Sequence, residues 1–209
     1  MIKWQFDQQN PSAVVLVLWR TLYSLGEIMM LELDIGNNIK MKILEKRECQ
    51  YFFDYIDRDR KNCERWIPFV SKTKTVRDAE AYISKFLEIF KNGEGYFWGL
   101  WEHKKIIGLV LIKDINHDLS VAEIGYMIDK EYEGKKIVKK ACDLMINFIF
   151  DELKLNKIRI CCNDKNNKSI VFPEKYGFKL EGVIRNDVII NNEICNTMYW
   201  GLLRDEYKK

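Results

Sequence analysis

The 209-residue chain is 47% apolar, enough for one domain with a substantial core, and 34 Lys and Arg against 31 Asp and Glu leave a formal charge of only +3. That balance excludes a chain-wide nucleic-acid clamp, so a cationic site must come from local clustering. Six cysteines without a CxxC pair, and two histidines (His103, His117) far from all of them, offer no zinc-ligand spacing, and scattered thiols without a secretory leader fit a reducing cytoplasm.

The first apolar run, Ala13 to Trp19, lies in "SAVVLVLWRTLYSLGEIMM" (12–30). Met1 to Pro11 ahead of it carries one lysine against one aspartate, and the run is far shorter than a membrane span, so it reads as neither signal peptide nor anchor. A third reading starts translation at Met29 or Met30, because Gly26-Glu27 can be encoded by a GGAGA-type string of the kind that precedes bacterial start codons. Residues 1–30 are then an extension and 31–209 the domain. With three prolines, no Gly/Ser linker and no repeat, that domain is continuous.

"NIKMKILEK" (38–46) alternates as a strand does, and "ECQYFFDYIDRDRKNCERWI" changes to helical spacing. In "TVRDAEAYISKFLEIFKNG" (75–93), Ala79, Tyr82, Ile83, Phe86, Leu87 and Phe90 share one helical face, and a glycine ends the segment. Three strands follow at 96–103, 105–115 and 120–129, and their short turns predict an antiparallel meander. Ile137, Ala141, Leu144, Met145 and Phe148 then predict a helix starting near Gly134 with one buried face. A strand at 157–162, a short helix from about Asn167 to Tyr176, and strands in 178–189 and 194–203 complete a mixed α/β sheet.

"KEYEGKKIVKKAC" (130–142) places lysines around a glycine at a helix start. The first N–H groups of a helix lack internal partners and its dipole is positive there, so this end attracts anions. Lys135 with Lys139, and Lys136 with Lys140, stand at i,i+4 and add charge, while Gly134 lets a ligand approach the backbone. These features suit a pyrophosphate; the alternative is a solvated lysine face.

A strand entering a glycine turn and helix, then a second strand ending in an Asn/Lys/Ser loop, resembles the Gcn5-related N-acetyltransferase (GNAT) superfamily, and within it the RimJ/RimL ribosomal-protein acetyltransferases. The resemblance runs from about 38 to 207. It is carried by "AEIGYMIDKEYEGKKI" (122–137), "NNKSIVFPEKYGFKLEG" (166–182) and "YWGLLRDEY" (199–207). It implies a single-domain GNAT fold whose mixed, mostly antiparallel sheet is flanked by helices and binds acetyl-CoA where two central strands splay. By resemblance Met127 and Ile128 bond the pantetheine arm, and the amides of Glu133, Gly134, Lys135, Lys136, Ile137 and Val138 hold the pyrophosphate. Lys136 stands where the family loop has a second small residue; its N–H can still donate while the ammonium points outward.

Acetyl transfer needs a neutral amine, a stabilised oxyanion and a protonated leaving thiolate. Glu123 shares a strand face with Val121, Gly125 and Met127, is the one charge there, and resembles the base of the family's histone acetyltransferases. The alternative is a salt-bridged strand glutamate. Ser169 resembles the serine that sits near the leaving sulfur, with Asn166 placing an amide on the pantetheine; both residue types also serve as helix caps. The family's frequent tyrosine acid, four residues before the Gly-Phe pair, is Pro173 here, and Tyr176 is read as packing. Val188 stands where some relatives carry a carboxylate, and alternation turns Asp187 the other way. Trp66 and Phe69 are the expected acceptor contacts, while Phe97, Trp98 and Trp101 read as core.

The resemblance thus implies an acetyl-CoA-dependent N-acetyltransferase acting on a protein N-terminal α-amine, such as that of a ribosomal protein, by direct attack and without a metal. A small amine such as a polyamine, amino acid or antibiotic is the alternative acceptor, and a non-catalytic acyl-CoA-binding module the rival. No nucleic-acid or membrane partner is expected, and the chain is read as a monomer or homodimer.

Overall fold

A computed structural model describes residues 32–190 and 192–207. The apolar run Ala13–Trp19 and the start codons considered at Met29 and Met30 lie outside them. The described chain opens with a hairpin, β1 (Leu33–Asp34) and β2 (Ile39–Ile43). Its turn holds Gly36, Asn37 and Asn38 at φ 84°, 59° and 58°, and Asp34 Oδ1 accepts from the Gly36 N–H at 2.6 Å. Glycine and asparagine are the residues that adopt this left-handed backbone at least cost. The sequence reading missed β1 because two residues are too few to show alternation.

Helices α1 (Cys49–Arg58), α2 (Arg60–Cys63), α3 (Pro68–Lys72) and α4 (Val76–Asn92) follow. Thr75 and Asp78 close a reciprocal capping box at the start of α4, and Gly93 at φ 76° ends it. The face predicted from spacing is the buried one: Ala79, Ile83, Phe86 and Phe90 are all inside. The meander is β3 (Tyr96–Glu102), β4 (Lys105–Asn116) and β5 (Val121–Ile128), all antiparallel. A crossover through α5 (Ile137–Asn147) leads to β6 (Lys157–Asn163), then α6 (Asn167–Lys175), β7 (Lys179–Ile190) and β8 (Glu193–Leu203).

The eight strands form one sheet ordered β1-β2-β3-β4-β5-β6-β8-β7. Each face buries its own core. Tyr96, Trp98, Val110 and Ile124 pack with Ile137 and Met145 under α5 and α6, while Phe97, Leu109 and Leu111 pack with Phe52, Ile83 and Phe86 under α1 and α4. Trp98, Phe97 and Trp101 are core, as the sequence suggested.

The crossover helix begins at Ile137, three residues later than expected. Lys136 has φ 61°, a left-handed conformation that breaks the helical run. Lys135 and Lys136 therefore stand outside the helix, and the expected i,i+4 lysine rows do not form. Lys135 Nζ lies over the Tyr132 ring at 4.6 Å, and Lys139 pairs with Asp143 at 2.8 Å.

The loop between β5 and α5 is anchored at its root. Arg58, at the end of α1, donates to the Asp129 carboxylate and, at 3.2 Å, to the Ile106 carbonyl. Asp129 is only 7% exposed, so its charge depends on that partner. Arg58→Met should lower the unfolding free energy by about 2–3 kcal/mol, read as a lower urea midpoint at unchanged slope.

Candidate active site

β5 and β6 are the only parallel neighbours among the described strands, and they pair for four residues, from Val121–Lys157 to Ile124–Ile160. Beyond that point β5 continues along β4 to Ile128, and β6 continues along β8 to Asn163. The two strands part between them. The phase of the β4–β5 ladder decides which backbone groups face the gap. Asp129 N–H donates to the Ile107 carbonyl at 2.8 Å, which makes Ile107–Asp129 and, two residues on, Leu109–Met127 the hydrogen-bonded pairs. Consistently, a Cβ on Gly108 would sit 2.7 Å from the Met127 carbonyl oxygen, which points into β4. Tyr126 and Ile128 therefore present their N–H and C=O to the gap. Of the two expected pantetheine contacts, Ile128 has backbone groups facing the gap, whereas Met127 has its backbone committed to β4 and only lines the cleft.

The gap opens into a continuous cleft of about 2060 Å³. Its lining includes Ile128, Glu133, Gly134, Lys136, Ile137 and Val138 at one end, Asn166 and Ser169 beside the gap, and Trp66 and Phe69 at the other end. Lys135 is not part of the lining, in keeping with its place over Tyr132, and the Glu133 N–H, expected at the pyrophosphate, is instead committed to the Lys130 carbonyl at 3.2 Å. Gly134 has φ 75°, and a Cβ there would meet nothing within 4 Å, so glycine is required by backbone conformation and the space beside it is open. The same reasoning explains why a small second residue suits this loop: position 136 is left-handed too, and a lysine there carries about 1–2 kcal/mol of backbone strain. Lys136 itself is exposed. An open left-handed turn, free amides at the start of α5 and unpaired strand edges beside them together fit a long ligand with a pyrophosphate at one end and amides along its arm.

Asn166 caps α6: its Oδ1 accepts from the Ser169 N–H at 3.3 Å. This leaves the Asn166 amide nitrogen, and the Ser169 hydroxyl itself, for the cleft. Four residues beyond Ser169, Pro173 is buried within α6 and lacks the N–H that would bond the Ser169 carbonyl. Tyr126, a residue the sequence reading passed over, supplies the replacement, donating its hydroxyl to that carbonyl at 3.3 Å while its ring contacts Phe172 at 4.3 Å. Burial pushes the Tyr126 hydroxyl far above its usual range, so it stays a donor. Tyr176 packs on Phe172 at 4.3 Å and donates to the Lys139 carbonyl at 2.8 Å.

Glu123 is a salt-bridged strand residue. It lies 3.0 Å from Lys113 Nζ and 3.2 Å from Arg159 Nη2, both on neighbouring strands. Burial opposes its ionisation, but the two cations prevail and hold the carboxyl below its usual range. It stands behind the cleft wall, whose surface there is made by Lys113 and Cys161. Direct proton abstraction by Glu123 thus has the geometry and the proton affinity against it. Burial also pushes the Cys161 thiol up to about 12, which keeps it protonated and a poor nucleophile at neutral pH. Tyr199, whose ring faces Arg159 at 5.9 Å, donates to Asp187 at 3.4 Å. The alternation that was expected to turn Asp187 away fails because the β7–β8 register shifts between Ile184 and Val188.

The end of the cleft lined by Trp66 and Phe69 is aromatic. Phe69 stacks on Tyr82 at 4.3 Å, and Arg65 lies over Trp66 at 5.5 Å. No group of three metal-ligating side chains occurs among the described residues.

A family model, the acetyltransferase (GNAT) domain, matches residues 43–179. The chain is 29% identical over 177 residues to the "Putative ribosomal N-acetyltransferase YdaF" of Bacillus subtilis (strain 168), covering 83% of this chain and 96% of that protein. It is 31% identical over 100 residues to the spermidine N(1)-acetyltransferase of Escherichia coli (strain K12), covering 48% and 54%. The solved structure of RimL, a ribosomal L7/L12 alpha-N-protein acetyltransferase in complex with coenzyme A, superposes with TM-score 0.78 over 83% of this chain and 98% of that one; at 11% identity this shows the fold alone. With the family match spanning well over half its length, the chain belongs to the GNAT acetyltransferases and is an N-acetyltransferase whose donor is acetyl-coenzyme A.

Proposed function

We propose that this enzyme acetylates the α-amine of a protein N-terminus, that it works in the cytoplasm, and that residues 31–209 form its catalytic domain. The observation that carries the reading is the size and continuity of the cleft. At about 2060 Å³ it is roughly twice the upper end of ordinary small-molecule pockets, about 300–1,000 Å³. That leaves room for a chain beside the donor. A second support is the likeness to YdaF over most of both chains.

Acetyl-CoA supplies an acetyl group activated as a thioester. In the proposed arrangement the free amides of Gly134, Lys136, Ile137 and Val138 and the ammonium of Lys136 hold the pyrophosphate, and the edge groups of Tyr126 and Ile128, with the Asn166 amide, align the arm. Trp66 and Phe69 hold the acceptor against the opposite wall. As the C–S bond breaks, the Ser169 hydroxyl relays a proton, giving its own to the departing sulfur and taking the one shed by the attacking nitrogen. Lys113, held over Gly125 by Glu123, places a positive charge beside the amine and lowers its proton affinity, so an α-amine with an ordinary pKa of about 7.7–8.0 reaches its neutral form without a strong base. Glu123 is then a positioning residue. Direct attack, without an acyl-enzyme, agrees with the protonated state of Cys161.

The pH behaviour follows in sign. Glu123, lowered in the fold, is ionised throughout the neutral range, and the acceptor must lose a proton to react. kcat/KM should therefore rise with pH along a single limb ending near the amine's own pKa. Glu123→Gln should keep that shape and cost less than about tenfold. A loss in the range of about 10²–10⁴, relieved as pH rises, would restore Glu123 as the base. Because its folded pKa is depressed, the stability it contributes is present above about pH 4.3 and is lost as pH falls through the folded value.

The pyrophosphate loop gives paired variants. Gly134→Val should abolish coenzyme A binding in calorimetric titration, since a β-branched residue is strained at φ 75°. Lys136→Gly should raise stability by about 1 kcal/mol, seen as a higher Tm, and bind coenzyme A at least comparably at ordinary salt.

A further inference from the structure

Cations line the cleft from one end to the other. At the donor end Lys139 pairs with Asp143 and Lys168 with Glu133, while Lys136, Lys165 and Lys175 make no ion pair among the described residues and suit the anionic donor. At the acceptor end Lys113 is matched by Glu123. Arg65 and Lys85, also exposed and lining that end, make no ion pair among the described residues. Asp59 is the carboxylate lining that end, and it already interacts within the fold. The acceptor thus meets two uncompensated cations on a wall of Trp66, Phe69 and Tyr82. A low-dielectric wall of this kind concentrates their field.

We propose that the acceptor carries carboxylates close to its reactive amine, and that Arg65 and Lys85 read them; this rests on the amine-acetylation reading above. A polycation is the opposite of what this surface suits. Alkyl amines have ordinary pKa values near 10.4, so a polyamine arrives charged at its nitrogens and meets Arg65, Lys85 and Lys113 as repulsion. An acidic amine gains charge-assisted hydrogen bonds from the same groups, and the guanidinium of Arg65, already over Trp66, can take a carboxylate bidentately. The chemistry is shared by two sources, an acidic N-terminal chain and a free acidic amino acid.

Initial rates of coenzyme A thiol release distinguish them. The panel is three peptides with the same first residue followed by two aspartates, two asparagines or two lysines, together with free aspartate and spermidine. The acidic peptide should exceed the lysine peptide by about tenfold in kcat/KM, the gap should narrow at high salt, and Arg65→Glu with Lys85→Glu should invert the order. Both residues are exposed, so these variants spare the core. If free aspartate is the better acidic substrate, the carboxylate preference stands and its source is a small molecule. Equal rates across the peptides, or preferential turnover of spermidine, overturn the inference while leaving acetyl transfer intact. Silence with every amine, despite calorimetric binding of coenzyme A, strikes acetyl transfer itself, and the inference falls with it.

Discussion

The structure turns on the short parallel pairing of β5 and β6, which ends at Ile124 and Ile160 while both strands continue. Two strands that separate inside a sheet leave backbone N–H and C=O groups without ladder partners, a costly state when buried and a tolerable one when water or a ligand can reach them. Tyr126 and Ile128 carry those groups. A ligand with an extended, amide-bearing arm completes the interrupted ladder much as an added strand completes a sheet edge. The separation is braced from one side by the Tyr126 and Phe172 rings, 4.3 Å apart. That brace traces to a single residue, since Pro173 removes a helical donor and the Tyr126 hydroxyl takes its place at the Ser169 carbonyl.

The second constraint is the route from the end of β5 into α5. Asp129, nearly buried and held by Arg58, fixes where β5 stops. The chain must then turn sharply enough to bring the start of α5 back over the gap, and it does so through left-handed backbone at both Gly134 and Lys136. A loop built this way aims successive N–H groups into one concavity. Strain at Lys136 is local and is tolerated because Ile137, only 3% exposed, anchors the first turn of the helix in the core.

Most of this architecture was legible in the chain itself, and the exceptions share a cause. The meander strands and α4 carry their own signals, alternation in one case and a 3.6-residue apolar face with a capping box and terminal glycine in the other. Lys136 carries no such signal: nothing in a lysine announces a positive φ, so the helix start was placed three residues early and the lysine rows with it. Met127 and Ile128 illustrate a different limit. Which of two adjacent strand residues offers its backbone to the gap depends on the phase of a pairing with β4, and that phase is a property of two segments together. Glu123 was visible as a lone charge on its own strand face, whereas Lys113 and Arg159, which determine its proton affinity, come from the strands on either side. Asp187 failed for the reason that alternation always fails, an irregular register.

The cleft's electrostatics then follow from where each cation finds a counter-charge. Lys113 and Arg159 meet Glu123 on the sheet, 18% exposed, where an unpaired charge would be expensive, so their pairing is chiefly a condition of folding. Arg65, in the turn between α2 and α3, and Lys85, on α4, sit at the solvent-facing side of the same cavity, where hydration makes an unpaired charge cheap. Only the second kind retains much field for an arriving molecule. The first kind still acts at short range, because Lys113 reaches over Gly125, its side chain 2.8 Å from where a Cβ would stand. A surface that repels positive charge both at its mouth and at its floor favours an amine that is weakly basic and negatively flanked. Selection and activation are then separate tasks: flanking carboxylates draw the acceptor in but raise the proton affinity of its amine, and the ammonium of Lys113 beside the amine works against that rise.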